Sequence, residues 1–234
     1  MAGRNIVRPS PDWLDTSYTC QERQSWDGEF AQVTGQPALE LVGSVTTNAA
    51  PVEVAARMRQ ALGFDLEARR DCPTWTEALR RFVEQTDRAG ILARVSGVVR
   101  NNNHRRLDPE EFRGFALVDA RTPLVFINGA DTKSAQMFTL AHELAHVWLG
   151  ASALSDSDAR SVPVQVVENW CNRVAAEFLA PLDVVRADLV RGEPLERTVA
   201  RLARRFKVST LVVLRRLRDA GHLGRQAFEH AYDE

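Results

Sequence analysis

His142-Glu143-Leu144-Ala145-His146 constrains this chain more than any other stretch of it. Residues four apart on an α-helix lie about 40° from each other around the axis, so the two imidazoles can reach one metal ion. Glu143 stands beside them, where a carboxylate can take a proton from a water held by that ion. Such chemistry needs a rigid helix with a buried apolar face. Met137, Leu140, Ala141, Leu144, Ala145 and Trp148 supply that face, and Gly150 stands where a C-cap is expected. A fold for this chain must therefore bury one helix and bring a further ligand to it.

A catalytic zinc commonly takes three protein ligands and keeps a fourth position open. The next well-formed helix, from about Val164 to Ala180 and stopped by Pro181, carries Glu168 behind a run of apolar residues. Asn172 follows one turn along the same face, where an amide can hold a ligand histidine by its other ring nitrogen. The expected site thus has His142, His146 and Glu168 as metal ligands, Glu143 as the catalytic base and Asn172 supporting them, with Zn2+ as cofactor. This is the signature of zinc metalloproteases.

The remaining composition sets limits. The chain has 234 residues, 44% of them hydrophobic and 26% charged, which is enough for a core without disulfides and suits one large domain or two small ones. A formal net charge of −1 gives no bulk attraction to nucleic acid or membrane. Lys133 and Lys207 are the lysines among basic residues that are otherwise arginine, which reads as compositional bias. Cys20, Cys72 and Cys171 are far apart and form no metal or disulfide pattern, so a reducing compartment is expected. With no signal-like segment and no run of eighteen apolar residues, the expected location is the cytoplasm, with no membrane partner.

Along the chain, a helix is expected over about 19–34 and another over Pro51–Leu62. Thr74-Trp75-Thr76-Glu77 is a capping box opening a helix that stops at Gly90. Three β-rich runs follow: Ile91–Val95 continuing toward Val99, Gly114–Val118, and Leu124–Ile127, the last two joined as a hairpin. The Asn101–Arg106 segment reads as an exposed loop and 151–161 as another, with shorter helices at about 182–190, 194–206 and 209–219. The fold class is therefore α+β and predominantly helical, with a small three-stranded antiparallel sheet packed on the motif helix. Three parts are expected: an N-terminal helical extension over 1–72, a metallopeptidase core over 73–192, and C-terminal helices over 193–234.

Phe138-Thr139-Leu140-Ala141-His142-Glu143-Leu144-Ala145-His146 resembles the central motif of the ImmA/IrrE family of zinc metallopeptidases. The block from Glu168 through Cys171-Asn172 to Pro181 is similar to that family's second motif, without a gap. Arg113–Leu117 and Val125–Asn128 resemble the strands before its motif helix, so the likeness covers roughly residues 90–221. It implies an endopeptidase whose protein substrate is a helix-turn-helix transcriptional repressor of a mobile element or stress operon. The chain departs from the pattern at Cys171, Val174 and Ala180. The latter two read as packing changes; Cys171, one turn from Glu168, reads as a buried thiol, with approach to the metal the alternative.

Residues 202–217 follow helix-turn-helix spacing, and eight basic residues lie between Glu196 and Asp219. Arg204, Arg205, Arg215 and Arg216 are the candidates for contact with DNA or a partner; packing against the core is the alternative reading. A DNA-binding regulator with a vestigial peptidase core is accordingly the rival function. His104, Arg105, His222 and Tyr232 are conceivable oxyanion donors, and spacing does not choose between them.

Overall fold

The computed structural model describes residues 9–151 and 163–233. The first helix, α1, runs over Pro11–Val33. It begins well before the expected start, because Ser10 accepts a hydrogen bond from Trp13 N and Pro11 occupies the first turn. Its buried positions are only Thr16, Ser17, Cys20 and Ala31, so no apolar stripe announces it. Helices α2 (Pro51–Leu62), α3 (Leu66–Arg70) and α4 (Trp75–Arg88) follow, the last capped by Thr74.

The sheet has β1 (Leu92–Ser96) at one edge, β5 (Leu124–Asn128) in the centre and β4 (Gly114–Leu117) at the other edge. The β4–β5 pair is antiparallel as expected, but β1 runs parallel to β5, so the sheet is mixed. Apolar alternation marks strands but carries no strand direction, and the chain between β1 and β4 leaves the sheet altogether. It forms a separate antiparallel hairpin of β2 (Val98–Val99) and β3 (Asn102–Arg106), correcting the expected loop at 101–106. Arg100 and Asn101 adopt φ of 45° and 63°, the left-handed pair that a two-residue type I′ turn requires. Asn102–Arg106 are largely solvated, but they are a strand, and Asn101 belongs to the turn before it.

Central strand β5 is buried at every position. Leu124 and Phe126 face a small cluster with Cys20 of α1, while Val125 and Ile127 face the main core. That alternation places the sheet between α1 on one side and the helix that carries the motif on the other. The motif helix, α5 (Lys133–Leu149), is capped by Thr132 and ends at Gly150, whose φ is 70°. Gly114 lets β4 lie close against it: a Cβ there would stand 2.6 Å from Thr139 Cγ2 and 2.7 Å from Phe126 O.

Helix α6 (Val164–Leu179) packs along α5 and α2. Then come α7 (Leu182–Ala187), α8 (Leu195–Phe206), α9 (Thr210–Asp219) and α10 (Arg225–Asp233), the last without a sequence expectation. One apolar cluster runs from Val45 and Phe64 through α5 and α6 to Leu217 and Leu223, across both expected part boundaries. The loop expected over 151–161 lies outside the described residues beyond Ala151. Among the described residues no helix is long and apolar enough to cross a membrane.

The end of α6 is held in an unusual way. Arg59 donates to Glu177 O, Arg69 to Phe178 O and Leu179 O, and Arg216 to Ala180 O. A helix leaves its last carbonyls without intrahelical donors, and here three guanidinium groups supply them where the helix dipole is negative. Arg69 is fully buried, and burial lowers its pKa. Arg216 is also buried and pairs with Glu177, so it is removed from the candidates for DNA contact.

Candidate metal centre and cleft

Burial of Leu140, Ala141, Leu144 and Ala145 fixes the rotation of α5, so His142 and His146 emerge on the side facing α6. Their rings meet edge to face with centroids 4.9 Å apart. The two Nε2 atoms lie 3.2 Å from each other. Glu168 of α6 reaches both, with Oε2 3.2 Å from His142 Nε2 and Oε1 3.3 Å from His146 Nε2. Among the described residues this is the cluster of three or more His, Cys, Asp or Glu side chains whose donor atoms all lie within 4.8 Å.

Those separations suit a metal. Tetrahedral ligands at zinc–nitrogen and zinc–oxygen distances of about 2.0–2.2 Å stand roughly 3.4 Å from one another. Two imidazoles and one carboxylate are also a donor set that zinc accepts. Asn172 Oδ1 lies 3.1 Å from His142 Nδ1. An amide oxygen accepts there, so Nδ1 carries the proton and Nε2 keeps its lone pair for the shared point. His146 Nδ1 is buried without a hydrogen-bond partner.

The charges respond to this crowding. Hydrogen bonds from His142 and His146 hold the Glu168 carboxyl well below the usual carboxylate range. Burial opposes protonation of His142, but contacts with Glu168, Glu143 and Asn172 outweigh it and raise its pKa. Glu143 is 6% exposed, and its Oε2 has no hydrogen-bond partner. Burial raises its pKa against the lowering effect of the two histidines. A carboxylate in that environment is a better proton acceptor than one in water. Cys171 is fully buried, burial raises its thiol pKa, and it is not part of the cluster.

A cleft of about 280 Å³ exposes His142, Glu143 and Asn172. One of its walls is the α5 stripe Ala135, Phe138, Thr139, His142 and Glu143, at the i, i+3, i+4, i+7, i+8 spacing of a single helix face. Arg113 and Gly114 of the β4 edge form another, and Ser209, Leu211, Val212 and Arg215 of the α8–α9 turn and α9 close it. An adjoining cavity of about 410 Å³ shares Phe138, Asn172, Val212 and Arg215, so the cleft continues as a groove.

The other candidates fall elsewhere. Arg105 is bound to Asp12 at 2.6 Å and Asp15 at 2.7 Å, tying β3 to α1. His104 is exposed on β3 and His222 is exposed after α9; neither lines the cleft. The side chain of Tyr232 lies outside the described residues. Arg215 is brought to the cleft, whereas Arg204 and Arg205 lie on a different face. Arg113 was missed, although its place beside the glycine that touches α5 could have pointed to it.

The radiation response metalloprotease IrrE of Deinococcus radiodurans is 38% identical over 96 residues, covering 39% of this chain and 29% of that protein. The protein of the same name from Deinococcus deserti is 36% identical over 101 residues, covering 41% of this chain and 36% of its own length. The chain thus spans about a third of the length of these curated relatives. Residues 86–218, which hold the whole cluster and the cleft walls, match the peptidase M78 family, described as the IrrE N-terminal-like domain. The chain belongs to that family.

Proposed function

We propose that this chain is a zinc-dependent endopeptidase that cleaves a cytoplasmic protein, a helix-turn-helix transcriptional repressor, in a stress response. The observation that carries the reading is the convergence of His142, His146 and Glu168 beside a buried carboxylate on the wall of an open groove. The printed names of the relatives support both the peptidase chemistry and the stress setting. His142, His146 and Glu168 would hold the ion. When bound, zinc supplies Lewis-acid chemistry, polarising the scissile carbonyl and easing deprotonation of water.

The chain's own groups do the rest. Glu143 accepts the proton of the attacking water and returns it to the leaving amine nitrogen. Asn172 keeps His142 in the tautomer whose Nε2 is free. Arg215, whose guanidinium has no partner among the described residues, and Arg113 offer positive charge along the groove for a substrate carbonyl or acidic side chain. Residues 73–192 carry the chemistry in this reading, while 1–72 and 193–234 support and wall the groove.

Incubation with the repressor encoded nearest the gene, with zinc and with a chelator, tests the proposal. Cleavage should require zinc and vanish in Glu143→Gln, which should still bind the metal. Undiminished cleavage by Glu143→Gln would sink the mechanism. The rival, a DNA-binding regulator, would instead show salt-dependent operator binding with no metal requirement.

A further inference from the structure

A depression of about 610 Å³ opens beside α8 and shares no lining residue with the groove. Arg70 of α3, Arg197, Arg201, Arg204 and Arg205 of α8, and Lys207 at the helix end all line it. The four α8 arginines recur at i, i+4, i+7 and i+8, so they share one helix face about 12 Å long. Two carboxylates answer these six cations. Glu193 takes Arg201 at 2.6 Å, and Asp188 pairs with Arg205. Among the described residues nothing accepts a hydrogen bond from the side chains of Arg70, Arg197, Arg204 or Lys207.

Lys207 is an independent sign of a built site. It is 5% exposed, its backbone sits at φ 55° where glycine or asparagine is favoured, and its ammonium lies 5.4 Å from the Trp75 ring. The ring face attracts the cation but accepts no conventional hydrogen bond from it. A lysine this buried ordinarily has an anionic partner.

We infer that this depression binds a small ligand carrying two or more phosphate groups, a nucleoside di- or triphosphate or an inorganic oligophosphate. Guanidinium forks match phosphate oxygens two at a time, and the volume is that of a small-molecule site. A rigid duplex, whose phosphates run along a convex surface, does not reach a lysine that is 5% exposed. The ligand would lie at the α8–α9 turn, two residues before Ser209 of the groove wall.

Calorimetric titration of the full chain at about 50 mM salt tests this, using sodium tripolyphosphate, ATP, adenosine, sulfate and duplex DNA. Tripolyphosphate and ATP should bind and adenosine should not; whichever of the two binds tighter identifies the source of the phosphates. The double variant Arg197→Gln, Arg204→Gln alters exposed side chains only and should weaken binding by about tenfold or more. Lys207→Gln should do the same with its circular dichroism melt intact. Tripolyphosphate also binds zinc, but that heat is common to parent and variant and cancels in the comparison. Glu143→Gln should bind like the parent, which separates this site from the proposed peptidase chemistry. Equal binding by parent and double variant, sulfate binding as tightly as tripolyphosphate, or binding of duplex DNA alone would overturn the inference.

Discussion

Removing the Glu168 carboxylate would leave two imidazole Nε2 atoms 3.2 Å apart with no acceptor between them. The Glu168→Ala variant should therefore lose about a hundredfold or more in zinc affinity, read by competition with a chelating dye. His146→Ala should do likewise, and unchanged zinc content in Glu168→Ala would place the third ligand elsewhere. At this scale much was legible. His142, Glu143 and His146 are related by covalent spacing and helix pitch alone, which no packing alters. Glu168 and Asn172 are one turn apart for the same reason, so one face of α6 could be read before its neighbour was known. The arginines were not legible in this way. Arg204, Arg205, Arg215 and Arg216 look equivalent in sequence, yet one is buried on a helix end, one lines the groove and two line the basic depression.

Among the elements, α6 depends on donors from outside itself. Arg59, Arg69 and Arg216 come from three other helices, yet their hydrogen bonds converge on four successive carbonyls, Glu177 to Ala180. Replacing Arg69 with Met keeps most of the volume but strands two or three buried carbonyl oxygens, since Phe206 O also accepts from it at 3.3 Å. The expected cost is about 3 kcal/mol or more, measurable as a shift of the urea midpoint. A shift under about 0.5 kcal/mol would mean that water replaces the guanidinium. Helices α4, α5 and α9 were readable because a capping side chain and apolar periodicity agree there, whereas α6 and α8, which open at Pro163 and Pro194 without a side-chain cap, were readable from periodicity and proline punctuation. β3 was not, because its Asn-Asn-His-Arg-Arg sequence is polar throughout and its strand conformation comes from the left-handed turn at Arg100-Asn101. The true start of α1 was missed because its long exposed face hides the one local signal, Ser10-Pro11.

At the scale of the whole molecule, apolar faces from all three expected parts meet in one principal core among the described residues: Leu62 and Phe64 from the N-terminal part, Phe178 from the centre, and Leu202, Phe206 and Leu217 from the end belong to one cluster. The aromatic stack Phe64–Phe82–Phe178, with centroids 4.7 and 5.2 Å apart, crosses the first boundary by itself. A fragment of residues 73–192 should therefore fail to give a cooperative thermal transition, whereas the full chain gives one. A sharp transition in that fragment would show that the centre folds alone. The order of residues along the chain was enough to define the two-histidine helix, the Glu143 beside the pair and the chemistry they suit, because helix geometry relates residues within a turn or two; that Glu168 of α6 meets both histidines is an outcome of packing between helices. Folding in three dimensions alone decided that β1 runs parallel to β5, that α9 walls the groove, and which arginines are buried. Those outcomes depend on which apolar faces pack together over long separations, and local periodicity holds no record of that pairing.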